Sequence, residues 1–207
     1  MSRVLVVSPH TDDGELGCGG YIARLIDEGN DVFYVALSAA EKSVPHGLPA
    51  DTLRKEVMNA TAELGIKTEN VSVLGYDVRV FSEHRQSILD DLLRMKKDLK
   101  PDTVLTPSIQ DLHQDHKTTT DECTRAFKDT SLLGYELPWN NVSFSTSLFV
   151  RLDESHLDRK MRALAAYHSQ QGRDYFSREY ISALAITRGV QVKTRYAECY
   201  EVIRQII

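Results

Sequence analysis

Val4-Leu5-Val6-Val7-Ser8 runs directly into Pro9-His10-Thr11-Asp12-Asp13-Gly14-Glu15-Leu16-Gly17-Cys18-Gly19-Gly20. The unbroken apolar run has the pattern of a strand buried on both faces, and such strands belong to parallel sheets covered by helices. In open sheets of that kind, ligands bind beyond the carboxyl ends of the strands, where this polar, glycine-rich stretch falls. Further runs of the same type lie at 31–38 (DVFYVALS), 70–74 (NVSVL) and 103–107 (TVLTP). Helical spacing of apolar residues is found between them at 20–28, 51–65 and 84–99, so the first half reads as successive βαβ units.

Beyond residue 107, the spacing predicts helices over 116–128 and 153–171, strands over 147–152 and 197–203, and an ordered loop over 133–147. No repeat, linker or low-complexity tract interrupts residues 1–207, and the expectation is one α/β domain. Hydrophobic residues make up 42% and charged residues 27% of the 207, which excludes disordered and fibrous classes. A net charge of −5 argues against binding nucleic acid or an anionic membrane surface. No apolar stretch approaches the ~20 residues that span a bilayer, and no signal-peptide pattern opens the chain. Cys18, Cys123 and Cys199 are too few and too scattered for a disulfide framework, so a reducing, cytoplasmic location is expected.

Two segments carry the chemistry. In the first, Asp12 and Asp13 are adjacent carboxylates beside His10, an arrangement costly just past a buried strand unless a cation offsets the repulsion. The same acids could instead cap the helix that follows. A dinucleotide fingerprint fails here, because its third glycine would fall at Ile22 and three acids would face the pyrophosphate. The second segment, Asp111-Leu112-His113-Gln114-Asp115-His116, follows the fourth expected strand and holds two of the seven histidines. One of them could join His10 and Asp13 as a three-ligand set with an open position, the arrangement of catalytic zinc. Nitrogen and oxygen ligands would also accept Fe2+ or another divalent ion.

PHTDDGELGCGG and HQDH, in that order, resemble the signatures (A/P)-H-P-D-D-x-x-x-G-x-G-G and H-x-D-H of the PIG-L/LmbE-like deacetylases. Weaker similarity extends to Arg54-Lys55-Glu56, Tyr135-Glu136-Leu137-Pro138, Lys160, His168-Ser169-Gln170, Arg188-Gly189 and Tyr196-Ala197-Glu198. The resemblance implies a Rossmann-like, three-layer α/β/α sandwich with a mostly parallel sheet, and zinc-dependent removal of an N-acetyl group from a sugar amine. It implies His10, Asp13 and His116 as metal ligands and Asp12 as general base. His113 would be the acid or oxyanion stabiliser, with Asp115 orienting it. Thr11 stands where the family has Pro, and Gly14 where Glu is commoner.

Substrate contacts are expected from Arg54, which the resemblance assigns to a hydroxyl or phosphate, and from Tyr135 and Trp139, whose rings suit stacking on a sugar. Glu198, beside the expected last strand, joins them as a substrate or supporting contact. The expected partner is a soluble, small N-acetylated sugar or conjugate, and a homo-oligomer is compatible with the pattern. A zinc amidase acting on a non-sugar amide, or a metal-binding protein without hydrolysis, fits the same ligand set.

Overall fold

Alternation along the first strand sets the layers. In β1 (Arg3–Ser8), Val4 and Val6 enter one hydrophobic core and Leu5 and Val7 the other, all buried in the computed structural model, which describes residues 1–207. Helices cover both faces. On the first lie α1 (Asp13–Asp27), α2 (Thr52–Leu64), α5 (Glu154–Ala165) and α6 (Arg178–Gln191), through Ile22, Val57, Leu164 and Ile181 among others. On the second lie α3 (Arg85–Leu99) and α4 (Gln114–Ala126), through Ile88, Leu92 and Cys123. Each fully buried Leu or Ile of these interfaces contributes roughly 1.5–3 kcal/mol.

The remaining strands are β2 (Asp31–Ala36), β3 (Val71–Val73), β4 (Thr103–Pro107), β5 (Ser131–Tyr135), β6 (Leu148–Leu152) and β7 (Tyr196–Arg204). They form one sheet in the order β3-β2-β1-β4-β5-β7-β6. All neighbours from β3 to β5 pair in parallel, and β7 alone runs antiparallel to both of its partners. This is the three-layer α/β/α architecture, with a mostly parallel sheet, that the sequence predicts. The strand order reverses at β1, which pairs β2 on one side and β4 on the other. A crevice therefore opens beyond the carboxyl ends of β1 and β4. Both chemically dense segments begin there.

Four elements differ from expectation. α1 starts at Asp13 rather than near residue 20, broken at Cys18 (φ −142°, ψ 18°), so the glycine-rich stretch is a first helical turn followed by a kink. β5 occupies 131–135, partly inside the expected loop, because Leu132, Leu133 and Tyr135 are all buried despite the intervening Gly134. The helix α6 was not expected. Its core positions Ile181, Ala185 and Gly189 recur every fourth residue, but exposed Ile186 and Val190 blur the stripe. The expected helix 153–171 ends at Ala165, and a 3-10 turn (His168–Gln170) carries the chain back towards the crevice.

Candidate metal centre

Pro9-His10-Thr11-Asp12 leaves β1 as a short loop, and Asp13 opens α1. The His10 N–H donates to Asp13 Oδ2 at 2.9 Å, which folds the loop back so that both side chains point the same way. From the other side of the crevice, His113 caps α4 and His116 sits in its first turn. His10 Nδ1, Asp13 Oδ2 and His116 Nε2 then converge, with separations of 3.0, 3.2 and 3.3 Å. Three ligand atoms each about 2.0–2.1 Å from one tetrahedral ion are roughly 3.3 Å apart. The donor triangle fits a zinc-sized cation.

The back of each imidazole is held by a carboxylate. Asp111 Oδ2 lies 2.8 Å from His116 Nδ1, and Asp115 Oδ2 lies 3.0 Å from His10 Nε2. Each carboxylate accepts an N–H on the rear of its ring, which leaves the opposite nitrogen's lone pair for a cation. Asp115 is itself fixed by N–H donation from Arg79 (2.6 Å). The expectation for Asp115 needs correction: its carboxylate orients His10, not His113. Only its backbone N–H reaches His113, at Nδ1 (3.2 Å). The role of Asp111 escaped sequence reasoning, although it stands in the quoted segment. The histidines alone form a looser group, with one nitrogen from each of His10, His113 and His116 within 4.8 Å of the others.

Charge is held in place by burial and proximity. Burial opposes ionisation of Asp13, but the His116 charge and the His10 hydrogen bond hold its carboxyl well below the usual range. Burial likewise opposes charge on both rings. Hydrogen bonds to Asp115 and Asp13 nevertheless lift His10 to about 9, while the Asp13 charge and the Asp111 bond lift His116 to about 10. A cation would displace the protons these rings hold. Burial, with the Asp13 charge added, pushes the Asp12 carboxyl up to about 6. His113 goes the other way: burial first, then His116 and His10, push its imidazole down. It is therefore a neutral ring whose Nδ1 accepts from Asp115, so Nε2 carries the hydrogen.

These groups floor a cavity of about 270 Å³ whose wall includes Asp12, His113, Leu53, Arg79, Trp139, Arg173 and Tyr175. Of the expected substrate contacts, only Trp139 lines it, stacked on Tyr175 (ring centroids 4.1 Å, 14° between planes). Arg54 points elsewhere, donating to the Val73 carbonyl and tying α2 to β3. Tyr135 is wholly buried; its hydroxyl donates to the Val7 carbonyl, and its ring fills the space where a Cβ on Gly17 would lie. Glu198 is buried behind α1, where it accepts from the Gly20 and Tyr21 N–H groups (2.9 and 2.7 Å) and from Lys160 (2.7 Å). It caps the half of α1 that follows the Cys18 kink. Arg173 and Tyr175 had one sequence signal, the run Gly172-Arg173-Asp174-Tyr175-Phe176 just past the expected helix.

A model of the family described as PIG-L: GlcNAc-PI de-N-acetylase matches residues 5–127. The chain is 27% identical over 171 residues to the uncharacterized deacetylase YaiS of Escherichia coli (strain K12), spanning 80% of this chain and 90% of that protein. Among solved structures, it resembles the N,N'-diacetylchitobiose deacetylase of Pyrococcus horikoshii (21% identity, TM-score 0.81, 98% of this chain and 84% of that one). It also resembles GalB, the 4-carboxy-2-hydroxymuconate hydratase of Pseudomonas putida KT2440 (22% identity, TM-score 0.78, 100% and 98%). At such identities the two structures speak for the fold alone, and the hydratase means that the fold does not by itself dictate deacetylation.

Proposed function

The chain belongs to the PIG-L family of GlcNAc-PI de-N-acetylases, and from that premise we propose that it is a metal-dependent hydrolase releasing acetate from an N-acetylated amino sugar or sugar conjugate. The convergence of His10 Nδ1, Asp13 Oδ2 and His116 Nε2 on one point, with Asp12 beside them, carries this reading. These three residues would hold the cation, zinc by their nitrogen and oxygen donors, with Fe2+ as the nearest substitute. When bound, such an ion supplies Lewis acidity to the acetyl carbonyl and to the attacking water.

The chain's own residues handle the protons. Asp12 takes one from the attacking water as the C–O bond forms. His113, neutral and carrying its hydrogen on Nε2, donates a hydrogen bond to the carbonyl oxygen as it gains charge. Asp12 then returns the proton to the sugar nitrogen as the C–N bond breaks, leaving acetate and a free amine. A carboxyl pushed up to about 6 can serve as base and then acid near neutral pH. Asp115 and Asp111 act at one remove, fixing His10 and His116.

A sugar amide is favoured over other amides by the indole of Trp139 on the cavity wall and by the sugar deacetylase among the fold neighbours. The whole chain is read as one working domain, since strands from both ends of the sequence join one sheet. No helix is long and apolar enough to cross a membrane, and the free cysteines keep the cytoplasm as the proposed location. The test combines metal analysis of the purified protein with an acetate-release assay over N-acetylated sugars and non-sugar amides. Bound metal with acetate release from sugars supports the proposal. Metal without acetate on any amide, or turnover of non-sugar amides only, refutes it.

A further inference from the structure

Glu15 is a wholly buried acid in the first turn of α1, and the hydrolysis gives it nothing to do. A carboxyl enclosed there is costly unless its oxygens are engaged. Two phenols engage them. The Tyr34 hydroxyl, from β2, lies 2.5 Å from Glu15 Oε2, and the Tyr167 hydroxyl, just past α5, lies 3.0 Å from Oε1. Both hydroxyls also reach one backbone atom, the carbonyl oxygen of Thr11, at 3.0 and 2.6 Å. Two rings from distant parts of the chain thus close on the peptide that joins Thr11 to Asp12, with Glu15 spanning their hydroxyls.

That peptide needs a hold. Thr11 stands where proline would fix φ, so its own ring-free backbone does not restrain the link to Asp12. Asp12 is the N-cap of α1, yet its side chain makes no capping hydrogen bond. The direction of its carboxylate is therefore set by the backbone that carries it. The ligands on either side are secured otherwise. The His10 N–H donates to Asp13, and the His10 carbonyl accepts from the Ser8 hydroxyl (2.5 Å), which itself accepts from the Gly14 N–H (3.0 Å). Gly14 is matched to the clamp: a Cβ there would come within 2.6 Å of the Tyr34 hydroxyl and drive it off the Thr11 carbonyl. The two departures from the family signature thus answer one another. Proline's constraint is absent at 11, and the missing side chain at 14 admits a ring that restrains the peptide instead.

We propose that Tyr34 and Tyr167, bridged by Glu15, are positioning residues that hold the Thr11 carbonyl and thereby aim the Asp12 carboxylate into the cavity. This deepens the function proposed above and rests on it only for the proton that Asp12 takes. Neither hydroxyl bonds a metal ligand, so loosening the clamp should register in kcat rather than in metal binding or KM. A misplacement of about 1 Å can cost ~10²-fold in rate, and the loss of one of two holding contacts should cost about tenfold.

The experiment compares wild type, Tyr34→Phe, Tyr167→Phe and Tyr76→Phe in metal content, in amide exchange, and in acetate release across the same sugars and amides as above. Phenylalanine keeps each ring's packing and removes only a hydroxyl. In Tyr76 that hydroxyl donates to Asp91 of α3 (2.6 Å), on the other face of the sheet, so this variant is the control. Tyr34→Phe and Tyr167→Phe should each lose about tenfold in kcat per bound metal, with KM and metal stoichiometry kept within about twofold. Tyr76→Phe should keep all three. In the metal-free protein, amide exchange over residues 10–14 should quicken about fivefold in the first two variants alone, the worth of one hydrogen bond. Unchanged kcat per bound metal, or an equal fall in Tyr76→Phe, overturns the proposal while leaving the hydrolase reading intact. So does a loss confined to metal stoichiometry, since the phenols would then serve the ligands. If the wild type releases no acetate, the hydrolase reading fails and exchange decides alone: quickening confined to the two variants supports the clamp, and unaltered exchange overturns it.

Discussion

Replacing Asp111 by Asn should loosen metal binding without touching a ligand. Asp111 Oδ2 sits 2.8 Å from His116 Nδ1, while Oδ1 accepts the His113 N–H at 2.8 Å. A carboxylate serves both donors. An amide has one oxygen and one NH2, so one of the two contacts is lost. If the oxygen stays with the His113 N–H, the new NH2 faces Nδ1 and drives the hydrogen of His116 onto Nε2, the atom that must ligate. If the amide flips, the cap of α4 loses a bond. Removing such an orienting partner typically costs 10–100-fold in metal affinity, about 1.4–2.7 kcal/mol. Competition against a chromophoric chelator at pH 7 measures it directly. Affinity unchanged within about twofold would refute the idea that Asp111 sets the His116 tautomer.

Asp12→Asn should keep full metal stoichiometry and lose about 10²–10⁴-fold in kcat/KM, as read by metal analysis beside acetate release. In the wild type, kcat/KM should fall as the pH drops through about 6 or slightly lower. Asp12 works deprotonated, and a bound cation adds positive charge beside it. The metal-free protein should lose stability as the pH rises from 7 to 10 in urea unfolding. His10 and His116 hold protons to about 9 and 10, and Glu15, pushed up by burial, to about 8, all above their unfolded values, so the folded state binds more protons across that range. Glu198→Ala strips the buried Lys160 ammonium and two α1 N–H groups of their acceptor; the expected cost is about 3–5 kcal/mol, a melting temperature lower by roughly 6–20 °C.

The layers were legible because β1, β2 and β4 are largely buried and announce themselves as apolar runs, punctuated by Gly65 and Pro101 at helix ends. The metal loop and the segment at 111–116 were legible for a related reason: each follows such a strand, so topology alone brings them together. Side-chain direction was not. Nothing in the order His113-Gln114-Asp115-His116 says that the Asp115 carboxylate turns to His10, because that depends on the α4 cap and on the Arg79 N–H. Tyr135 and Glu198 drew attention as chemical groups, yet both are consumed inside the fold, by the Val7 carbonyl and by α1. The wall built from Arg79 and Arg173 lay beyond reading by periodicity, since both sit in irregular segments placed by distant partners.

The break in α1 at Cys18 has a bearing on biosynthesis. The residues that build the metal loop leave the ribosome well before Glu198, the acceptor for the Gly20 and Tyr21 N–H groups, about 180 positions later. Until the final strand inserts between β5 and β6, the helix behind Asp13 lacks its anchor. Nascent chains should therefore capture metal firmly only after β7 has emerged, and a truncation that removes β7 would disable a centre whose ligands all lie at or before residue 116.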